Sequence, residues 1–268
     1  MTWMRFIAVA LAVLIVGIPA FAQDDAAEAP ATEGPPADTT PVDGPAEVPT
    51  QAPQQPAPTS LPAAPAATAM PAPGTVVFSD NFDDVTRPNF PLNQRSATES
   101  KGYIDGQYEM IDGNPNFGVF ETVPGTYPNA TIALDVRLMG GPPIAAALVA
   151  CRSEGANAYV FGILPEGIVP GRFPGAPPTF IGPRVRLVRQ QPGADATLID
   201  EGPSPPVRGK GEWNHVELTC NGSTISASVN GTEVLSVLDS TYSGGRHRFG
   251  LTGNGSTARF DNLTVTLR

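Results

Sequence analysis

One stretch near the C-terminal end constrains the fold more than any other: WNHVELTCNGSTISASVNGTEVLSV, residues 213–237. Apolar and polar residues alternate along it, as in strands that bury one face. Two Asn-Gly pairs, at 221–222 and 230–231, interrupt the alternation nine residues apart. Asn-Gly favours the two-residue type I′ hairpin turn, which needs positive φ at both central residues. The stretch therefore predicts a three-stranded antiparallel meander with one buried face.

A two-residue turn at 221–222 also predicts a register for the first hairpin. The expected cross-strand partners are Cys220 with Ser223, Leu218 with Ile225, and Val216 with Ala227. The apolar residues of both strands then share one face, because alternate residues of a strand point the same way.

The rest of residues 75–268 follows the same pattern of short strands. The first run is GTVVFSDNF, the next is GQYEMI, and further runs continue to the C-terminus, with Gly, Pro, Asn or Asp between them. No window of ten or more residues keeps an apolar period of 3.6. About a dozen short strands predict an all-β domain, an antiparallel sandwich of two sheets.

Residues 1–22 have the pattern of a secretory signal peptide. Arg5 precedes an apolar run at 6–18, and an Ala-x-Ala site ends at Ala22. This run is shorter than the roughly 20 residues of a spanning helix. We predict cleavage after Ala22 and a secreted or cell-surface protein, with membrane attachment only if the segment is retained.

Residues 23–74 differ in composition from the domain that follows. They hold 13 Pro, 14 Ala, seven carboxylates and no Lys or Arg. Such a segment cannot bury enough apolar surface to order itself, so we predict a disordered, semi-stiff spacer, either a stalk or a plain linker. The domain itself has a net charge of about −4. This balance offers no basic surplus for nucleic acid.

Two cysteines, Cys151 and Cys220, each end an apolar strand run. An even count in an exported protein favours a disulfide between them. Two unpaired buried thiols are the alternative. Two cysteines with no adjacent His do not form a typical metal site.

Three segments resemble the concanavalin A-like lectin and glucanase superfamily. They are FSDNFDD, ACRSEGANAYVFGI, and the block from GEWNHVELTC to FDNLTVTL. The most similar members are the laminin-G-like domains and the 3-keto-disaccharide hydrolase-like domain, and the resemblance covers residues 75–268. It implies a jelly-roll sandwich, often with a glycan-facing surface. The chain departs from the pattern between Leu164 and Arg184, where a Pro- and Gly-rich insert lies.

The resemblance also suggests one structural calcium ion as the only cofactor. Alternation in the last strand slips at 261–262, which predicts a β-bulge there. In calcium-binding members a similar Asp joins oxygens of the first strand, which implicates Asp261 with Asp80 and Asp83. Oxygen ligands of this kind suit Ca²⁺. The alternative is that Asp261 caps the bulge through hydrogen bonds and that no ion binds.

A catalytic constellation is missing from the sequence. Laminarinase-like members carry a Glu-x-Asp-x-Glu run on one strand, whereas TIALDVRL here offers Asp135 alone. We expect an exposed or supporting role for His215 rather than a base or ligand. His247 lies between two arginines after Gly-Gly, which predicts a solvated hairpin. No phosphate loop, serine elbow or zinc spacing is present.

Exposed aromatic rings are the better candidates for sugar binding. We expect Trp213 to pack in the core, because it starts an alternating strand. The candidates in turns, loops and the 165–183 insert, with their neighbouring arginines, are Tyr103, Tyr127, Arg172, Phe173, Phe180, Arg184 and Tyr242. The insert is either an ordered binding loop, stiffened by its prolines, or a loop that packs on itself.

Two functions follow from the sequence. The first is an exported, non-catalytic module that binds a polysaccharide or cell-surface component and is displayed on the spacer. The second is a glycoside hydrolase-like enzyme that acts on a disaccharide or keto-sugar, which rests on the resemblance alone. A face that gathers two carboxylates, or a His and a carboxylate, would favour the enzyme.

Overall fold

The computed structural model of the protein describes residues 71–115, 118–169 and 179–268. The predicted signal peptide, most of the predicted spacer, and Arg172 and Phe173 of the insert lie outside the described residues. The described residues form strands and turns, with no helix among them. No membrane-spanning helix was therefore found in the described part of the chain.

Fifteen strands make up the described part of the domain. In chain order they are β1 (Val76–Asp80), β2 (Asn93–Arg95), β3 (Glu99–Ile104), β4 (Gln107–Asp112), β5 (Val119–Thr122), β6 (Ala130–Gly140), β7 (Ala146–Glu154), β8 (Asn157–Val169), β9 (Thr179–Gln190), β10 (Thr197–Pro203), β11 (Asn214–Asn221), β12 (Thr224–Val229), β13 (Thr232–Leu238), β14 (Arg246–Thr252) and β15 (Ser256–Leu267).

The strands form two antiparallel sheets, which confirms the predicted jelly-roll sandwich. The nine-stranded sheet has the order β13-β12-β11-β6-β15-β4-β3-β2, and β1 pairs with β15 as well. The six-stranded sheet has the order β10-β9-β8-β7-β14-β5. Both sheets contribute to one core, for example Leu134 and Phe260 from the larger sheet and Phe161 and Phe249 from the smaller.

The meander β11-β12-β13 forms as predicted, but its first register is wrong by two residues. Cys220 lies opposite Ile225, and the turn consists of Gly222 and Ser223. Only Gly222 has positive φ there, as at the first central position of a type II′ turn. A shift of two residues leaves every side chain on its predicted face. At the second turn Asn230 and Gly231 both have positive φ, which confirms the type I′ prediction.

Two elements differ from the sequence pattern. Strands β2 and β3 fall between the first two predicted runs, where polar residues such as those of NQR hide the strand signal. The predicted insert does not interrupt the sheet at 165, because β8 and β9 continue as a paired hairpin to Val169 and from Thr179. Phe180 is in β9, opposite Ile168.

A disulfide joins the two sheets. Cys151 on β7 is bonded to Cys220 on β11, across 69 positions of sequence, as predicted. The next residue, Arg152, is buried with positive φ, and its guanidinium donates to the carbonyls of Tyr242 (2.7 Å) and Gly222. Burial lowers the pKa of Arg152. The bond and the arginine together hold the β11–β12 turn against β7.

The prediction that His247 lies in a solvated hairpin is wrong. Its side chain is fully buried on β14, and Nε2 donates to the carbonyl of Tyr127 at 3.1 Å. The Tyr127 ring stacks on the imidazole. Burial lowers the pKa of His247 to about 4.

Removal of the disulfide should destabilise the domain substantially. We expect the double substitution Cys151→Ala and Cys220→Ala to lower the free energy of unfolding by about 4 kcal/mol, because a long loop in the unfolded chain is released. Urea unfolding measures the change. The reduced wild-type chain is the control, since it lacks the bond but keeps both sulfur atoms. A loss below about 1 kcal/mol in both would contradict the expectation.

Burial of neutral His247 predicts a loss of stability in mild acid. The folded pKa is about 4 and the ordinary value is 6.5. The unfolded chain therefore takes up a proton first, and stability falls as the pH drops from 6.5 towards 4, by about 3 kcal/mol in total. His247→Gln keeps an N–H donor but does not titrate, so its unfolding free energy should fall less over this range. Parallel pH profiles of the two proteins would refute the assignment.

Candidate active site on the nine-stranded sheet

Three ionisable side chains stand in one row across the centre of the nine-stranded sheet. Asp135 on β6 lies directly opposite His215 on β11 and directly opposite Asp261 on β15. The neighbours of Asp135 along β6, Leu134 and Val136, are buried in the core. Because side chains alternate along a strand, the row projects from the outer face of the sheet, away from the core.

Hydrogen bonds join the members of this row. Nδ1 of His215 is 2.7 Å from Oδ1 of Asp135, and Nε2 is 3.4 Å from Oε1 of Glu217. The other oxygen of Asp135 accepts from the Asn262 amide at 2.8 Å. A carboxylate that accepts from Nδ1–H fixes the imidazole orientation. The contact of Nε2 with Glu217 is long, at 3.4 Å, and a substrate would replace it when Nε2 acts as a base. This is the His–carboxylate arrangement of a general base.

The predicted β-bulge in β15 is present and opens the sheet beside Asp261. The β6–β15 register slips between Asp261 and Thr264, and Asn262 has φ of 51°. On its other edge β15 pairs with β4 as far as Phe260 and with β1 from Leu263. Neither strand pairs with β15 at 261–262, so the backbone of β15 has no ladder partner on this edge at Asp261 and Asn262.

The two opposed aspartates repel each other. Like charges directly opposite in a sheet are destabilising. Burial raises the pKa of Asp261, and the negative charges of Asp135 and Asp83 raise it further, although the Asn262 backbone N–H at 2.7 Å opposes the shift. A carboxyl with a raised pKa is a better proton donor near neutral pH than an ordinary aspartic acid.

A cavity of about 540 Å³ lies over this row. Its walls are formed by Gln107, Asp135, Arg208, Trp213, His215, Asn230, Asp261 and Asn262. A second cavity of about 320 Å³ adjoins it and shares Asn262. The larger volume is in the range of small-molecule sites. Trp213 is half-buried at the wall of this cavity, not in the core as expected.

A second row of side chains runs parallel to the first, one pleat further along the strands. Arg259 on β15 lies opposite both Glu109 on β4 and Arg137 on β6. Arg259 Nε donates to Glu109 at 3.0 Å. The guanidinium of Arg137 lies over the Trp213 ring, 4.7 Å from its centroid. The outer face thus carries a carboxylate and histidine row beside an arginine and tryptophan row.

The predicted calcium ligands do not form a cage. Both oxygens of Asp80 accept hydrogen bonds, Oδ1 from the Phe82 backbone and Oδ2 from Asn89 and Tyr103. Among the described residues no three His, Cys, Asp or Glu side chains are arranged to hold a metal ion. Asp261 caps the bulge, as in the stated alternative. These contacts do not fit a calcium cage, and calcium binding by Asp80, Asp83 and Asp261 stays a prediction.

The remaining predicted binding residues are dispersed. Tyr103, Tyr127 and Tyr242 pack against the core, and the hydroxyl of Tyr242 donates to Gln190 O at 2.7 Å. Arg184 forms an ion pair with Glu201 at 3.0 Å. These contacts are structural. Binding by the insert, including Phe180, stays a prediction.

Sequence comparison connects this face with a known family. The family model of the 3-keto-alpha-glucoside-1,2-lyase-like domain matches residues 105–266. The chain belongs to this family. The match includes every strand that contributes to the two rows. No curated protein matches the chain.

Solved structures also align with the described domain. A Bacillus subtilis protein of unknown function with a galectin-like fold aligns with a TM-score of 0.52 and 11% identity, over 74% of this chain and 98% of that one. The carbohydrate-binding module CBM66 of Bacillus subtilis aligns at 0.43 and 19%, over 65% and 90%. A galectin of Caenorhabditis elegans aligns at 0.38 and 18%, over 59% and 95%. The first of these shows the common fold.

The sequence contained part of the signal for this site. Asp135, His215 and Asp261 all occupy polar positions, yet they are up to 126 residues apart, and only strand pairing brings them together. A carboxylate run on one strand does not indicate this site, because here each of three strands contributes one group. The slip in alternation marked Asn262 as part of a bulge, but not as a partner of Asp135, and Arg208 had no signal beyond its residue type.

Neutralisation of Asp261 should stabilise the fold. We expect Asp261→Asn to raise the free energy of unfolding at pH 7 by up to about 1 kcal/mol, because the repulsion by Asp135 disappears. The raised pKa makes this gain fade as the pH falls towards 3.8 and the wild-type carboxyl becomes protonated. Urea unfolding at several pH values measures it. The exposed loop variant Asp195→Asn is the matched control, and a loss of stability in Asp261→Asn would contradict the interpretation.

Proposed function

We propose that the domain is an exported enzyme that cleaves the glycosidic bond of a 3-keto-glycoside by elimination. The observation that carries the proposal is the hydrogen bond of 2.7 Å between His215 and Asp135. Asp261 lies directly opposite Asp135 on the neighbouring strand β15. A histidine and two carboxylates gathered on one face favour the enzyme over a binding module. The family supplies the substrate class, and the chain's own residues supply the chemistry.

A keto group at C3 of a sugar makes the proton on C2 acidic. His215 Nε2 accepts this proton, while Asp135 holds the ring and stabilises the imidazolium that forms. The electrons of the C2–H bond become the C1–C2 double bond, and the C1–O bond breaks. The leaving oxygen takes a proton from Asp261. The products are an unsaturated keto-sugar and an alcohol, and no oxidant or reductant is consumed.

The spacing of the strands suits this division of roles. β11 and β15 flank β6, so the backbones that carry His215 and Asp261 are roughly 10 Å apart. A sugar ring over Asp135 then has the base on one side and the acid on the other. The raised pKa of Asp261 agrees with the donor role. Asp135 is already engaged by His215 and Asn262, which argues against it as a nucleophile.

The disulfide supports export. Disulfides persist in oxidising compartments such as the periplasm and the extracellular space. This agrees with the predicted signal peptide, and with the predicted spacer as a carrier of the domain.

A non-catalytic glycan-binding module is the second candidate. The observation in its favour is Trp213, whose half-buried indole lines the cavity. Aromatic rings offer an apolar face to sugars. Under this proposal His215 and Asp135 would bind sugar hydroxyls without proton transfer.

The decisive assay uses a chromogenic 3-keto-α-glucoside and its unoxidised parent. We expect the protein to release the aglycone from the keto-sugar only. His215→Ala and Asp135→Asn should each lower kcat/KM at least about 100-fold, because general base catalysis is lost. Glu233→Gln, an exposed change on β13, is the control and should leave the rate unchanged. Binding of the keto-sugar without turnover would contradict the proposed reaction and support the non-catalytic binding module.

A second measurement separates base from acid. In D₂O the enzyme should exchange the C2 proton of a keto-sugar that has a poor leaving group. Asp261→Asn should keep this exchange and still release nitrophenol, yet fail to release a second sugar, because only the sugar oxygen needs a proton. His215→Ala should lose the exchange itself. If Asp261→Asn loses the exchange and His215→Ala keeps it, Asp261 is the base and His215 is the acid.

A further inference from the structure

The two ends of the larger cavity carry opposite charge. Asp135 and Asp261 line one part of it, whereas Arg208 and Trp213 line another. Arg208 is exposed, and its Nη1 donates to the Trp213 carbonyl at 3.1 Å. Arg137 lies over the Trp213 ring. Two guanidinium groups are therefore fixed to one tryptophan, one through its ring and one through its backbone.

Neither of these two arginines is neutralised by the protein. Among the ion pairs of the described residues, Arg259 is matched by Glu109 at 3.0 Å and Asp105 at 3.8 Å, but Arg137 and Arg208 have no acidic partner. Arg137 lies directly opposite Arg259, so like charges face each other across β6 and β15. Nε of Arg137 is buried without a hydrogen-bond partner. Like charges directly opposite in a sheet are destabilising, and a negative charge bound beside Arg137 would offset this repulsion.

The stacking on Trp213 prepares Arg137 to bind an anion. A guanidinium held flat on an aromatic ring loses little entropy on binding and keeps its edge donors available. Those planar donors match the paired oxygens of a carboxylate, sulfate or phosphate. Arg208 is the arginine that lines the cavity, and Arg137 lies next to the cavity through its contact with the Trp213 ring.

The distance from the reacting row restricts the ligand. Arg137 follows Asp135 by two residues on β6, which is about 7 Å along a strand. A saccharide over Asp135 therefore reaches the arginines with a substituent of the same ring or of its neighbour. Free inorganic anions would not span both rows.

We infer that the Trp213 end of the cavity binds an anionic substituent, so that the substrate is an acidic saccharide carrying a carboxylate, sulfate or phosphate. This inference rests on the proposed function for the reacting sugar. It adds the charge of the substrate, which the family resemblance does not supply. The binding is measurable without turnover, so the two proposals can fail separately.

The test is calorimetric titration of the full chain with four probes. They are a disaccharide that contains glucuronic acid, its neutral parent, and the sulfated and phosphorylated forms of that parent. At low salt we expect at least one anionic probe to bind about 10-fold or more tightly than the neutral one, and this preference should shrink as NaCl is added. The anion that binds best identifies the source of the charge.

Substitutions then locate the preference. Arg137→Gln with Arg208→Gln should remove it, so that the anionic probes bind no more tightly than the neutral parent. Arg208→Gln alone, at an exposed residue, should reduce it several-fold even if the double variant folds poorly. Arg186→Gln on β9, an arginine outside the site that pairs with Glu201, is the matched control and should have no effect.

The results test the inference and the proposed reaction separately. Equal affinity for neutral and anionic probes overturns it, as does an equal loss of preference in Arg186→Gln. His215→Gln should keep the preference for the anion while it abolishes turnover of the keto-glycoside. If wild type shows the preference but no turnover of any keto-glycoside, the proposed reaction fails and the anion subsite stands.

Discussion

The pairing of β6 with β11 on one side and β15 on the other is the constraint on which the site depends. Alternate residues of β6, from Ile132 to Leu138, are buried and fill the core. A slip of one residue would expose all of them, so the register is strongly specified. The outer positions Asp135 and Arg137 are then held opposite their partners on both neighbouring strands. Packing of the buried face of β6 thus fixes the positions of Asp135 and Arg137 on its outer face.

This outer face carries unfavourable electrostatics that the core tolerates. Asp135 opposes Asp261, and Arg137 opposes Arg259, in adjacent rows. Each opposition of like charges costs stability. The disulfide and the well-filled core offset that cost. Like-charged residues are rarely opposite each other in a sheet unless a function requires them. We therefore interpret the two rows as one site with an acidic part and a basic part.

The bulge at 261–262 was predictable from the sequence, but its contact with another strand was not. The slip in alternation predicted it, and Asn262 with φ of 51° confirms it. Its consequence was not predictable, because the Asn262 amide reaches Asp135 on another strand, 127 residues away. His247 is the opposite case, since a Gly-Gly and two arginines suggested solvent, while β14 is an inner strand of its sheet, paired with β7 and with the edge strand β5, and His247 is fully buried.

The sequence by itself determined most of the strands, which face of each of these strands is apolar, the Asn-Gly turn at 230–231 and which cysteines can pair. These properties depend on backbone preferences and on a period of two, which are local. Only the tertiary structure decided that β6 lies between β11 and β15, and hence that Asp135 meets His215 and Asp261. Neighbour choice in a sheet depends on how two whole faces pack into one core, and no short window of sequence contains that information.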